Sequence, residues 1–177
     1  MLVVTGASGA GKTTLVRRLA GLGLPGVGCH EFDTIGVPSA AEIRARFGDG
    51  EGFQHWALSE WMTRLARNAD EVRVAVLDAQ VRPRAARDAL ARHGVEIGGV
   101  VLVDCDYDER NARLRGPRGQ PDLATPQMDG WAAYLRGQAD ALDVPVIDTT
   151  GASPDASLIV LRAHVDALLA ATDAMRG

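Results

Sequence analysis

At 177 residues, 46% of them hydrophobic, the chain can bury one sizeable α/β core and is too short for two ordinary domains. A net charge of −4 with both signs dispersed gives no electrostatic footprint for duplex nucleic acid or an anionic membrane. No apolar run approaches membrane-spanning length, and the first residues already read as a strand, so a cytoplasmic protein without a leader or membrane partner is expected. Cys29 and Cys105, far apart and in apolar surroundings, read as buried free thiols of a reducing compartment.

Met1 to Thr5 is a short β-rich apolar run, and Thr13 to Ala20 reads as the opening of a helix. Between them lies Gly6-Ala7-Ser8-Gly9-Ala10-Gly11-Lys12-Thr13, which fits G-x-x-x-x-G-K-[ST], the phosphate-binding P-loop. Glycines at these positions let backbone N–H groups turn inward around phosphate oxygens, and the following helix N-terminus adds its dipole. Lys12 can then reach the β- and γ-phosphates of a nucleoside triphosphate, while the Thr13 hydroxyl can ligate Mg²⁺ and Thr14 continues the cradle. The chain has 19 Lys and Arg residues, and Lys12 is the one lysine among them. A slim ammonium fits such a cradle where a planar guanidinium is too wide.

Further strand candidates are 27–32, 72–78, 97–103 and 144–148; the runs at 72–78 and 99–104 have the near-continuous apolar character of buried parallel strands. Helix starts are marked by capping boxes at Ser39–Glu42 and Asp106–Glu109 and by Thr125-Pro126 and Ser153-Pro154, and a stop by His93-Gly94. The helix over 154–171 aligns Leu158, Leu161, Val165, Leu168 and Leu169 on one packing stripe. Alternation of strands and helices predicts right-handed crossovers and a doubly wound parallel sheet, with ligands at the carboxyl ends of the strands. The stretch 116–122 is the most loop-like piece of the chain.

No lysine remains to build the N-K-x-D motif with which GTPases read guanine. Asp78, at the end of the third strand, is followed by Ala79 instead of the glutamate that activates water in hydrolysing ATPases, and no L-S-G-G-Q run of transporter ATPases occurs. Binding phosphates without activating water favours transfer to a bound acceptor. Asp78, beside the P-loop strand, is the expected partner of Mg²⁺ through a metal water or Thr13.

In its P-loop and its element order, the chain resembles the compact P-loop kinases: nucleoside monophosphate kinases of the adenylate kinase type, shikimate and gluconate kinases, and chloramphenicol phosphotransferase. The resemblance covers nearly the whole length and implies a five-stranded parallel sheet of order 2-3-1-4-5 flanked by helices, with a short lid. It implies an acceptor site above strands two and three, with Asp33 after the second strand orienting the acceptor hydroxyl and taking its proton. Asp78-Ala79-Gln80-Val81-Arg82-Pro83 departs from the D-G-x-P-R pattern of monophosphate kinases but keeps an arginine, so Gln80 and Arg82 are expected to bind the acceptor. No glycine run of the shikimate kinase type follows the third strand.

The segment 39–70 is longer than one crossover helix needs and corresponds to an acceptor-binding insertion bearing Arg44. Trp56 and Trp61 read as packing residues, either of which can also cover an acceptor, as can Trp131 and Tyr134. The lid, about 110–124, carries Arg110, Arg113, Arg115 and Arg118. The first two are expected on the nucleotide, and the last two on the migrating phosphoryl charge. The turn at 149–153 is expected to pass the adenine edge. Scattered His and Cys give no zinc spacing.

The implied activity is ATP- and Mg²⁺-dependent transfer of the γ-phosphate to a small acceptor. That acceptor is a metabolite, an antibiotic or a nucleoside monophosphate, and the protein a monomer or homodimer with the kinase-like domain spanning 1–177. An ATP-binding switch without an acceptor and a nucleic-acid end kinase are the alternatives.

Overall fold

The computed structural model describes residues 1–67 and 71–176. Five strands, β1 (Leu2–Thr5), β2 (Val27–Glu31), β3 (Val74–Asp78), β4 (Gly99–Asp104) and β5 (Val146–Asp148), form one sheet in the order β2-β3-β1-β4-β5. Every pairing is parallel, with Val3 level with Leu77 on one side and Val100 on the other. The apolar runs are continuous because both faces are covered. Side chains alternate across a strand, so Leu2 and Val4 face one layer and Val3 the other.

Helices α1 (Lys12–Gly21) and α7 (Pro154–Arg176) cover the first face, burying Leu15, Leu19, Leu161 and Val165 against Val76, Val101 and Ile147. Helices α3 (Gly50–Ala66), α4 (Pro83–Arg92) and α6 (Pro126–Ala141) cover the second with Leu58, Trp61, Ala86 and Leu135 against Leu77 and Leu102. Helix α2 (Ala40–Phe47) has no fully buried residue and packs on the edge of this core through Ile43 and Phe47, and α5 (Tyr107–Arg115) follows β4 at the carboxyl end of the sheet. The insertion expected at 39–70 is thus two helices, with its last three positions outside the described residues.

Several local expectations need correction. The second strand stops at Glu31, because Phe32–Ile35 winds into a 3-10 turn. The last helix runs on to Arg176 instead of ending at 171. Ser39 and Glu42 form a full capping box, but Asp106 makes only the forward half, accepting from the Glu109 N–H. The Glu109 carboxylate is drawn off to the Gly151 N–H, and the Asp106 N–H donates to Thr150 instead. Cys105 is buried, whereas Cys29 is only half-buried, since β2 is the edge strand.

Candidate active site

The P-loop occupies the carboxyl end of β1, and residues Gly6 to Ala10 are all buried. Gly6 adopts φ +148°, and a Cβ there would stand 2.1 Å from the Val103 carbonyl oxygen. Gly9 has φ +85°, and its Cβ would press into Arg110 and Leu114 of α5 at 2.9 Å. Both positions combine a left-handed backbone with contact too close for any side chain. Gly11, left-handed in turn, caps α1, and Ala7, Ser8 and Ala10 complete the loop.

Lys12 is 6% exposed and its ammonium donates to the Ala7 carbonyl at 3.1 Å. Burial pushes its pKa below the ordinary lysine value, opposed by the neighbouring charges of Asp78 and Asp33 and reinforced by that of Arg118. Asp78 ends β3, beside β1, and is 7% exposed. Burial raises its pKa, against the opposing pull of Lys12 and of a hydrogen bond from the Thr13 hydroxyl. Lys12, Thr13, Asp78, Asp33 and Arg118 therefore form one electrostatic cluster. Among the described residues, no group of three or more His, Cys, Asp or Glu is placed to hold a metal ion by itself.

Asp33 reaches this cluster through a braced turn. The Phe32 ring is buried, and its carbonyl accepts from the Trp61 indole N–H at 3.1 Å. Thr34 Oγ1 donates to the Glu31 carbonyl at 2.7 Å and the Gly36 N–H to the Asp33 carbonyl at 3.0 Å. The Asp33 carboxylate itself is exposed. Glu31 turns the other way, taking a two-pronged ion pair from Arg17 at 2.7 and 3.1 Å.

Two cavities are lined in part by residues of this cluster. One, about 610 Å³, is lined by Gly9, Gly11, Thr13, Thr14, Arg113, Arg118 and the start of α7. The other, about 930 Å³, is lined by Asp33, Gln54, Gln80, Asp122, Trp131 and Tyr134 among others. A third cavity, about 560 Å³, lies at the amino end of the sheet around Met1, Val72 and Val95, away from the P-loop.

The fold has counterparts among solved structures. A gluconokinase from Sinorhizobium meliloti 1021 superposes with a TM-score of 0.61 over 99% of this chain and 94% of that one, at 18% identity. A shikimate kinase from Acinetobacter baumannii gives 0.59 over 93% and 92%, at 19% identity. A deoxyadenosine kinase from M. mycoides gives 0.57 over 94% and 100%, at 11% identity. The chain has the P-loop kinase fold. No family model matches it. In sequence it is 34% identical over 123 residues to the sulfate/thiosulfate import ATP-binding protein CysA of Bradyrhizobium diazoefficiens, 68% of this chain. It spans only about a third (33%) of that protein's length.

Within this fold the arginines of α5 and the loop after it part company. Arg110 is 4% exposed; its stem lies on Gly9 and its guanidinium is committed to Asp129 of α6. Arg113 turns into the smaller cavity, donating to Thr149 Oγ1 and the Thr149 carbonyl, each at 2.8 Å, and pairing with Glu109. Arg118 lines the same cavity and donates to Gln120. Arg115 points to solvent and lines neither cavity, as does Arg44 at the end of α2.

Arg82 lies behind the larger cavity. Its guanidinium donates to Gln54 Oε1 at 3.0 Å, stands 3.7 Å from the Glu51 carboxylate and lies over the Trp131 ring at 5.3 Å. Gln80 accepts from the Ser8 hydroxyl at 2.9 Å, tying the wall of this cavity to the P-loop. Trp61 is buried and Trp56 rests on Phe47 and Phe53, so of the tryptophans and tyrosine expected to cover an acceptor it is Trp131 and Tyr134, stacked at 5.6 Å, that line the larger cavity, beside Phe32 and Phe53.

Sequence reasoning missed three residues that shape these walls. Thr149 is 4% exposed and its hydroxyl donates to the Ala10 carbonyl at 3.0 Å, clamping the turn after β5 to the P-loop. Glu109 bridges α5 to the same turn through Gly151 at 2.6 Å. Gln54 holds Arg82 by both its backbone and its guanidinium. Their signal is faint in a single chain: each looks like an ordinary polar residue on a helix or in a turn.

Proposed function

We propose that this chain is an ATP- and Mg²⁺-dependent phosphotransferase that moves the γ-phosphoryl group of ATP onto a small hydroxyl- or phosphate-bearing acceptor. The observation that carries this reading is the Lys12–Asp33 cluster, set between a cavity lined by the P-loop and a second one with its own polar and aromatic walls. A nucleotide switch has no need of that second cavity. Residues about 39–70 serve as the acceptor-binding insertion and about 110–124 as the lid.

The P-loop backbone and Lys12 hold the β- and γ-phosphates, with Arg113 against the nucleoside side. Thr13 and Asp78 fit Mg²⁺, which keeps most of its waters and needs only one or two protein oxygens beside the phosphates. When bound, the ion supplies neutralisation of the phosphate oxygens. The acceptor hydroxyl, oriented by Asp33, bonds to the γ-phosphorus as the bond to the β–γ bridging oxygen breaks. Its proton passes to the Asp33 carboxylate and ADP leaves. Lys12 and Arg118 offset the charge on the moving phosphoryl group, so catalysis is positioning and electrostatics.

The test is ADP release from Mg-ATP with pooled metabolites, amino sugars and nucleoside monophosphates, using Lys12→Ala as the blank. A rate that jumps with one pool supports a kinase, and splitting the pool names the acceptor. Tight ATP binding with a rate indifferent to every pool overturns the proposal in favour of a switch.

A further inference from the structure

The larger cavity differs in charge from the rest of the site. Its lining carries two carboxylates, Asp33 and Asp122, the neutral side chains of Gln54, Gln80, Thr125 and Gln127, and no Lys, Arg or His among the described residues. Arg118 lines the cavity beside the P-loop, and the Lys12 ammonium donates to the Ala7 carbonyl within the loop.

Of the two arginines the sequence offers to an acceptor, Arg44 lines neither cavity, and Arg82, its buried Nε lacking a hydrogen-bond partner among the described residues, is otherwise largely engaged within the protein. It is only 21% exposed, and it is held by Gln54, by the Glu51 carboxylate and by the faces of Trp131 and Tyr134. A guanidinium engaged in this way acts as structure. It stiffens the aromatic wall and has its charge offset within the protein. Freeing it for a ligand anion would take from Gln54 the guanidinium bond at 3.0 Å and from Glu51 its arginine counter-charge.

That aromatic wall is flat and apolar. Trp131 and Tyr134 stack with their planes 23° apart, and Phe32 and Phe53 lie at the same cavity. The Trp131 indole N–H is buried there without a hydrogen-bond partner among the described residues. An anionic acceptor would meet two carboxylates and an apolar face with no compensating cation, and like-charge juxtaposition of this kind is strongly selective against a ligand.

We infer that the acceptor is an alcohol with no negative charge and a flat apolar face, its hydroxyl directed to Asp33 and its polar edge to the glutamines and Asp122. This rests on the phosphotransferase reading for the meaning of the word acceptor, but the charge preference is a property of binding alone and can be tested apart from turnover.

The probes are phenyllactate, phenyllactamide and the corresponding amino alcohol, which share one skeleton and one hydroxyl and differ in charge. Binding of each is measured by calorimetry to the full chain saturated with Mg²⁺ and a non-hydrolysable ATP analogue. The amide and the amino alcohol are expected to bind, with phenyllactate at least about tenfold weaker. Glu51→Gln, which removes the counter-charge of Arg82, should narrow that gap; an unchanged gap overturns the role given to Arg82.

Phenyllactate binding as tightly as its amide, or none of the three binding while the ATP analogue does, overturns the inference. Asp122→Asn separates the two permitted charges: a loss confined to the amino alcohol marks the cationic form as the one Asp122 selects. ADP release with the same probes is scored separately. The predicted binding order without ADP release upholds the charge preference and counts against phosphotransfer.

Discussion

Lys12 and Asp78 are driven in opposite directions by the same burial. The ammonium is held below its ordinary pKa and the carboxyl above it, each partly restored by the other. If both must be charged to receive Mg-ATP, the sign is fixed on each side. As pH falls, Asp78 loses its charge earlier than an ordinary aspartate. As pH rises, Lys12 loses its charge earlier than an ordinary lysine. The profile of kcat/KM for ATP should therefore be a bell narrower than the reference values allow, and an alkaline limb at the ordinary lysine range would contradict it. Asp33→Asn should lower kcat by about 10²-fold or more with ATP affinity retained, in steady-state kinetics and direct ATP binding. Lys12 was legible because its chemistry demands one residue type at one spacing. Gln54 and Thr149 were not, because their importance lies in which carbonyl or guanidinium the fold brings to them.

At the scale of elements, α5 shows how one helix divides its labour. Arg110 faces α6 and the buried side of Gly9, whereas Arg113 faces the turn after β5. Arg110→Ala removes one partner of a largely buried ion pair and leaves Asp129 uncompensated, so it should cost about 3 kcal/mol of stability in denaturant unfolding. Arg118→Ala should leave stability within about 0.5 kcal/mol, as expected for an exposed side chain, and lower kcat. Arg115→Ala should change neither. The sequence displays the arginine cluster plainly. It cannot show that Asp129, from the next helix, claims one of its members, since nothing local couples the two positions. The same holds for Asp106–Glu109: the pattern is that of a reciprocal cap, but a competing donor at Gly151 takes half of it.

Across the whole molecule the sheet is a two-sided core, and its legibility follows from that. Runs such as Val100 to Val103 have no polar face to hide their meaning, and glycines and prolines mark the exits. Strand order was carried by resemblance, because parallel pairing leaves no local trace in sequence. Which aromatic rings line a cavity was hidden for a related reason. Trp61 and Trp131 stand in similar apolar patterns, yet the packing of α3 and α6 sends the first to the core and leaves the second at the cavity wall. Leu161 is fully buried where α7 meets the sheet. Leu161→Ala should cost about 2–5 kcal/mol in thermal or denaturant unfolding, with ATP affinity retained because the side chain lines neither cavity.

Lys12 is the one lysine in 177 residues, and that has a practical consequence for chemical labelling. Amine-directed acylating reagents meet two aliphatic amines on this chain: the α-amino group of Met1, hydrogen-bonded to the Ile97 carbonyl at 2.8 Å, and the Lys12 amine. A depressed pKa leaves more of the latter in its nucleophilic, uncharged form. An acyl-phosphate reagent should thus add a mass increment at Lys12 that saturating Mg-ATP suppresses, while any increment at Met1, whose amine burial also holds below its ordinary pKa, should persist. The intact mass of the labelled chain then reads phosphate-loop occupancy directly, without a coupled assay, an added tag or an engineered reporter.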